Sequence, residues 1–180
     1  FMMKNRNSYI LKTFAPDNSK LKKVLDECLN NGISNVELGS NHCHEGGYSY
    51  LKNYSLNYLV HNYFPIPKNS FVINIASVDE IIRQKSIKHI KMAIDFCARI
   101  NSGLYTFHPG FLTDPKGPNA SITNYDFKWD KKQLDKAKSA EAKKNMYLSL
   151  DEVTKYAQKK RVKIAIETEG SLNKKDHLLM

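Results

Sequence analysis

Three apolar or aromatic runs in this chain stop on side chains able to hold a metal ion. They are Tyr58-Leu59-Val60-His61, Leu104-Tyr105-Thr106-Phe107-His108 and Ile164-Ala165-Ile166-Glu167. Loop-like residues follow each of them. An imidazole supplies a neutral nitrogen donor, and a carboxylate supplies negative charge and can bridge two ions. The set suits a divalent ion such as Zn, Mn, Mg or Co. No compact spacing motif joins the three residues, so the inference rests on their matched positions at strand ends. His108-Pro109-Gly110 is the most specific of the three segments. Proline removes a backbone donor and ends a strand ladder, and glycine then permits close backbone approach. Glu167 directly follows its apolar run and is the expected ligand. Glu169, two residues on, is expected beside it as a substrate-facing group. With such an ion, Glu167 and His108 are the candidates for moving protons.

Further polar groups lie where neighbouring strands should end. Glu37 closes the apolar face of one strand, and His42, Cys43, His44 and Glu45 lie in the loop beyond it. Glu37, His42 and His44 are candidate substrate contacts. Tyr63 and Phe64 follow His61 and are candidates either to stack on a bound substrate or to pack their own loop. His89 falls among lysines in a helical segment and is expected to face solvent. His177 has no evident partner. The chain has no glycine-rich phosphate loop, Ser-His-Asp order or paired-cysteine zinc motif.

Strand and helix patterns alternate along the chain, and these elements must carry the site. Strands are predicted over residues 9–14, 35–38, 56–61, 104–108 and 162–167. A helix capped by Asn18 or Ser19 should bury Leu21, Val24, Leu25, Cys28 and Leu29, and Asn31-Gly32 should stop it. Residues 50–57 have room for a short helix. Residues 71–76 are β-prone but run into a helix, for which Ser77 and Glu80 have capping-box spacing. That helix aligns Ile87, Ile90, Ile94 and Cys97 on one face. Residues 109–126 form a long loop rich in Gly, Pro, Asn and Thr. Residues 128–160 are helical, in one or two pieces, with Met146, Leu150, Val153 and Ala157 inward. Strands of this kind, separated by helices, predict a parallel sheet covered by helices. The fold class is therefore α/β with five or so strands, either an open parallel sheet or the first part of a (β/α) barrel of the TIM type. A closed eight-strand barrel typically takes about 250 residues.

The 180 residues suit one domain, residues 9–180, after a tail of residues 1–8 in which Phe1 ahead of Met2-Met3 reads as a cloning remnant. Mean hydropathy is −0.53, and no apolar run approaches the roughly 20 residues needed to span a bilayer. No membrane partner is expected. The odd count of three cysteines, two of them on apolar helix faces, favours a reduced, cytoplasmic setting. The net charge of +10 comes largely from lysines on what read as solvated helix faces.

At Leu59-Val60-His61, residues 71–77 (Phe-Val-Ile-Asn-Ile-Ala-Ser), Phe107-His108-Pro109-Gly110 and Ile166-Glu167-Thr168, the chain resembles the xylose isomerase-like TIM-barrel superfamily. The resemblance runs from about residue 9 to residue 180, where Gly170-Ser171-Leu172 and Asp176-His177-Leu178-Leu179 resemble the family's next loop and helix. The superfamily includes sugar and sugar-phosphate isomerases and epimerases. It also includes the endonuclease IV type of abasic-site nuclease (AP endonuclease family 2). The resemblance implies that His61 and His108 match metal-binding histidines of the nuclease branch. It implies that Glu167 matches a metal-binding glutamate of both branches. Further ligands would come from later strands, so a homo-oligomer or the remainder of a barrel is the expected completion. The loops around His42 to Tyr48 and Asn62 to Pro67 are aromatic and neutral to acidic. That composition favours a metal-dependent sugar or sugar-phosphate isomerase or epimerase, acting in carbohydrate metabolism, over a zinc nuclease acting on DNA. A non-catalytic binding or assembly role for a partial barrel is the third reading.

Overall fold

The computed structural model describes residues 9–14, 20–115 and 135–167. Five strands form one parallel sheet in sequence order: β1 (Leu11–Lys12), β2 (Asn35–Leu38), β3 (Asn57–His61), β4 (Leu104–Phe107) and β5 (Lys163–Ile166). Helices α1 (Leu21–Asn30), α2 (Glu80–Arg99) and α3 (Lys136–Lys160) lie between them, and a short 3-10 helix spans Ser49–Asn53. The expected parallel α/β arrangement of the barrel type is present. Among the described residues, no helix is long and apolar enough to cross a membrane.

Strand register decides which side chains meet. Lys12 lies opposite Glu37, Glu37 opposite Leu59, His61 opposite Thr106, and Thr106 opposite Ala165. Partners across a ladder share a face, and successive residues alternate faces. Lys12, Glu37, Leu59, His61, Thr106 and Ala165 therefore line one side of the sheet. The other side carries Val36, Leu38, Val60, Tyr105 and Phe107, all buried. They pack into one core with Leu21, Leu25 and Cys28 of α1, Ile87, Ile90, Ile94 and Cys97 of α2, and Val153 and Ala157 of α3. Burying that side against helices leaves the opposite side for chemistry.

Local signals set the helix ends. Asp79 caps α2 by accepting from the Ile81 and Ile82 N–H groups, and Asp135 caps α3 by accepting from Ala137 N–H. The α1 N-terminus is capped from a distance: Leu21 N–H donates to Glu45 Oε1 at 3.0 Å. Gly32, at φ +71°, supplies the left-handed turn that ends α1.

Several expectations are corrected. The first strand shrinks to Leu11–Lys12. Residues 71–76, outside the predicted strands, form none, because other groups satisfy their backbone, as described below. Asp79, not Ser77, caps α2, while Ser77 Oγ accepts from Asp79 N–H at 3.0 Å. Leu29 is exposed, at the margin of the α1 stripe, and Met146 and Leu150 are only half-buried. Asn18, Ser19, residues 128–134, Glu169 and His177 lie outside the described residues.

The sharpest correction concerns His89, which is only 5% exposed. Its ring packs on Tyr63 and Phe71, with centroids 6.1 and 5.6 Å away. Lysines flank it in sequence, yet it shares the inward stripe of Ser86, Ile90 and Ala93. Burial pushes its pKa down to about 4. The unfolded chain, with an ordinary histidine, takes up a proton more readily between pH 6.5 and 4. The stability from the neutral buried ring is thus complete above pH 6.5 and is lost as pH falls through 4. Denaturant unfolding across this range should show a slope of up to about 1.4 kcal/mol per pH unit from this residue. His89→Phe should remove that component; an unchanged slope would contradict it.

Candidate metal centre

His61 is the last residue of β3, and His108 and Glu167 each directly follow β4 and β5. His61 faces Thr106 across the ladder, and His108 is two residues beyond Thr106. Glu167 is likewise two beyond Ala165, the partner of Thr106. Alternation thus aims all three toward one side at the C-terminal ends of adjacent strands. One ligand atom from each lies within 4.8 Å of the others. The two imidazole centroids are 5.6 Å apart with the rings edge-on.

His61 is 1% exposed. Its Nδ1 lies 2.8 Å from Thr106 Oγ1 and 3.2 Å from Glu167 Oε1. A carboxylate only accepts, so these contacts favour the proton on Nδ1 and leave the lone pair on Nε2. That Nε2 is buried and has no hydrogen-bond partner among the described residues. Burial, with Lys12 nearby, lowers the His61 pKa against the opposing pull of Glu167 and Glu37. The neutral ring is the form that binds metal, and its contact with Glu167 is a hydrogen bond rather than an ion pair. His108 donates from Nδ1 to the Glu167 carbonyl oxygen at 3.2 Å. This presents Nε2, 3.9 Å from Glu167 Oε2. Support of one ring nitrogen by a carbonyl or carboxylate, with the other nitrogen left to the metal, is a common arrangement around bound ions. The donor set, two imidazoles and one carboxylate with an orphaned buried nitrogen, fits a divalent ion.

The remaining sequence candidates divide. Glu37 lies on the His61 face and pairs with Lys12 Nζ at 3.2 Å. His42 is buried, with Nε2 2.7 Å from Thr13 Oγ1, and burial lowers its pKa. His44 Nδ1 donates to the Ile66 carbonyl at 2.7 Å and ties two loops together. Glu45, beyond its link to α1, accepts from Tyr50 OH at 2.7 Å. These loop residues have structural partners and do not join the triad. Of its two expected roles Phe64 takes the packing one: it is fully buried, 4.7 Å from the Tyr48 ring and 5.5 Å from Phe96. Tyr63 packs its loop too, its hydroxyl accepting from Ile73 N–H at 2.8 Å. Sequence reasoning missed Thr106, although its parity with His108 was legible.

The candidate donors lie at the C-terminal ends of neighbouring parallel strands, the end at which α/β barrels carry their chemistry. A family model described as "Xylose isomerase-like TIM barrel" matches residues 48–177, and the chain belongs to that family. Solved structures share the fold. A D-tagatose 3-epimerase-like protein aligns with a TM-score of 0.61 at 18% identity, over 91% of this chain and 54% of its own. A protein from Thermus thermophilus, soaked with ZnCl2, aligns at 0.55 and 13% identity, over 87% and 55%. A D-allulose 3-epimerase from Methylomonas sp., in complex with D-allulose, aligns at 0.57 and 13%, over 88% and 50%. The chain thus spans about half the length of these proteins. A sequence search of curated proteins gives no match.

Proposed function

We propose that this chain belongs to a divalent-metal-dependent isomerase or epimerase of sugars or sugar phosphates. The observation that carries the reading is the convergence of His61, His108 and Glu167 within 4.8 Å. These three residues would hold the ion. When bound, it supplies a Lewis acid that polarises sugar oxygens. Glu167, its side chain 45% exposed, is the candidate to take a proton from the carbon beside a carbonyl. His108, through Nε2, is the candidate to pass a proton to or from a sugar oxygen. Glu37, on the same face, is the candidate acceptor for sugar hydroxyls, and Glu169 remains a candidate neighbour. The fold neighbours described as 3-epimerases support the reading at the level of the family.

A second reading is a zinc nuclease acting on abasic DNA. Two imidazoles among three donors favour it, since such sets suit zinc. One experiment separates the two. Ketoses, aldoses and abasic-site DNA are incubated with the full gene product and Mn, Co, Mg or Zn. Sugar turnover that falls at least about 100-fold in Glu167→Gln supports the isomerase. DNA incision abolished by His108→Ala replaces it with the nuclease. A monomer with neither bound metal nor turnover leaves the binding or assembly role.

A further inference from the structure

Residues 74–77 are buried and follow no regular element, so their backbone groups need partners from elsewhere. Two helices provide them. Asn74 N–H donates to Ser86 Oγ at 2.9 Å. The Ile75 carbonyl accepts from Ser149 Oγ at 2.8 Å. The Ser77 carbonyl accepts from Arg83 Nη1 at 2.6 Å and Asn145 Nδ2 at 3.2 Å. The segment is a platform fixed from α2 and α3.

The Asn74 side chain connects that platform to the residues after His108. Its Oδ1 accepts from Ala76 N–H at 3.1 Å and from Phe111 N–H at 3.0 Å. Ile75 N–H donates to the Pro109 carbonyl at 2.9 Å. Gly110, at φ +117°, passes so close that a Cβ there would lie 2.6 Å from Asn74 Cα. Asn74 Nδ2 donates to Asp114 Oδ1 at 2.8 Å, and Asp114 Oδ2 accepts from Ser77 Oγ at 2.6 Å. Strand β4 fixes the chain before His108, and this clamp fixes the next three residues.

We propose that Asn74, held in orientation by Asp114, is a positioning residue for His108. The required pattern is one amide oxygen accepting two N–H groups and one amide nitrogen donating to a carboxylate. Aspartate at this position loses the donor and faces Asp114 with like charge. The consequence for metal affinity rests on the proposed metal centre; the consequence for the His108 ring does not.

The test compares Asp114→Ala, Asn74→Asp and Ser86→Ala in the full gene product. Ser86→Ala removes the hydrogen bond to the Asn74 backbone N–H, leaves the side-chain clamp in place, and reports general loosening. Cobalt(II) titration and its visible spectrum are read beside the His108 ring resonances of the metal-free protein. Asp114→Ala and Asn74→Asp are expected to weaken cobalt binding about 10- to 100-fold, to alter the spectrum and to shift the His108 resonances. Ser86→Ala should lower the unfolding midpoint and leave all three unchanged. Wild-type affinity and resonances in Asp114→Ala, or equal effects in Ser86→Ala, overturn the proposal. If Asn74→Asp does not fold, Asp114→Ala decides. If the wild type binds no cobalt, the metal reading fails alone, and the ring resonances still decide the clamp.

Discussion

Glu167→Ala is expected to weaken divalent-metal binding more than about 100-fold while leaving the fold intact. Losing an outer supporting partner alone typically costs about 10- to 100-fold, and Glu167 is proposed as a direct ligand. It is also the only carboxylate in the triad. With His61 held neutral by burial, removing Glu167 removes the principal opposing charge for the cation. The side chain is 45% exposed and follows β5, so truncation opens no core cavity. The hydrogen bond from His61 is lost, at about 0.5–1.5 kcal/mol, well short of unfolding a domain. Calorimetric titration beside denaturant unfolding checks both halves. The corresponding His61→Ala is a poorer probe, because it empties a buried site and strands Thr106 Oγ1.

Phe64→Ala should be strongly destabilising, at about 3–5 kcal/mol. That is a large part of the roughly 5–15 kcal/mol that holds a domain folded. Phe64 is fully buried and joins the loop after β3 to α2, through Tyr48 and Phe96. Ring contacts of this geometry add to the area buried. Phe64→Leu should retain most of the stability. The measurement is the unfolding free energy of each variant. A loss below about 1 kcal/mol for Phe64→Ala would mean that the ring is not part of the core, against the range expected for phenylalanine truncation.

The parts of the fold legible in the sequence are those with strong periodicity. Residues 35–38, 57–61, 104–107 and 163–166 pair as anticipated, because their apolar runs are bounded by turn residues on both sides. The convergence of His61, His108 and Glu167 was legible from strand-end position alone, since parallel strands in register bring equivalent ends together. Residues 71–76 are β-prone yet form no strand, because β-propensity measures fit to a pleated, packed surface. There, Ser86, Ser149 and Pro109 offer the backbone other partners. His89 was misread because its lysine neighbours in sequence hid its place on the inward stripe of α2. Long-range polar links, such as Asn74 to Asp114 and Glu45 to the α1 N-terminus, leave no periodic trace.

The most direct test is anomalous diffraction from crystals of the full gene product soaked with zinc or manganese. A peak about 2.0–2.2 Å from an imidazole nitrogen of His61, one of His108 and a carboxylate oxygen of Glu167 is the predicted result. A soaked crystal with those side chains in place and no anomalous peak among them, or with its ion held by other residues, would contradict the account.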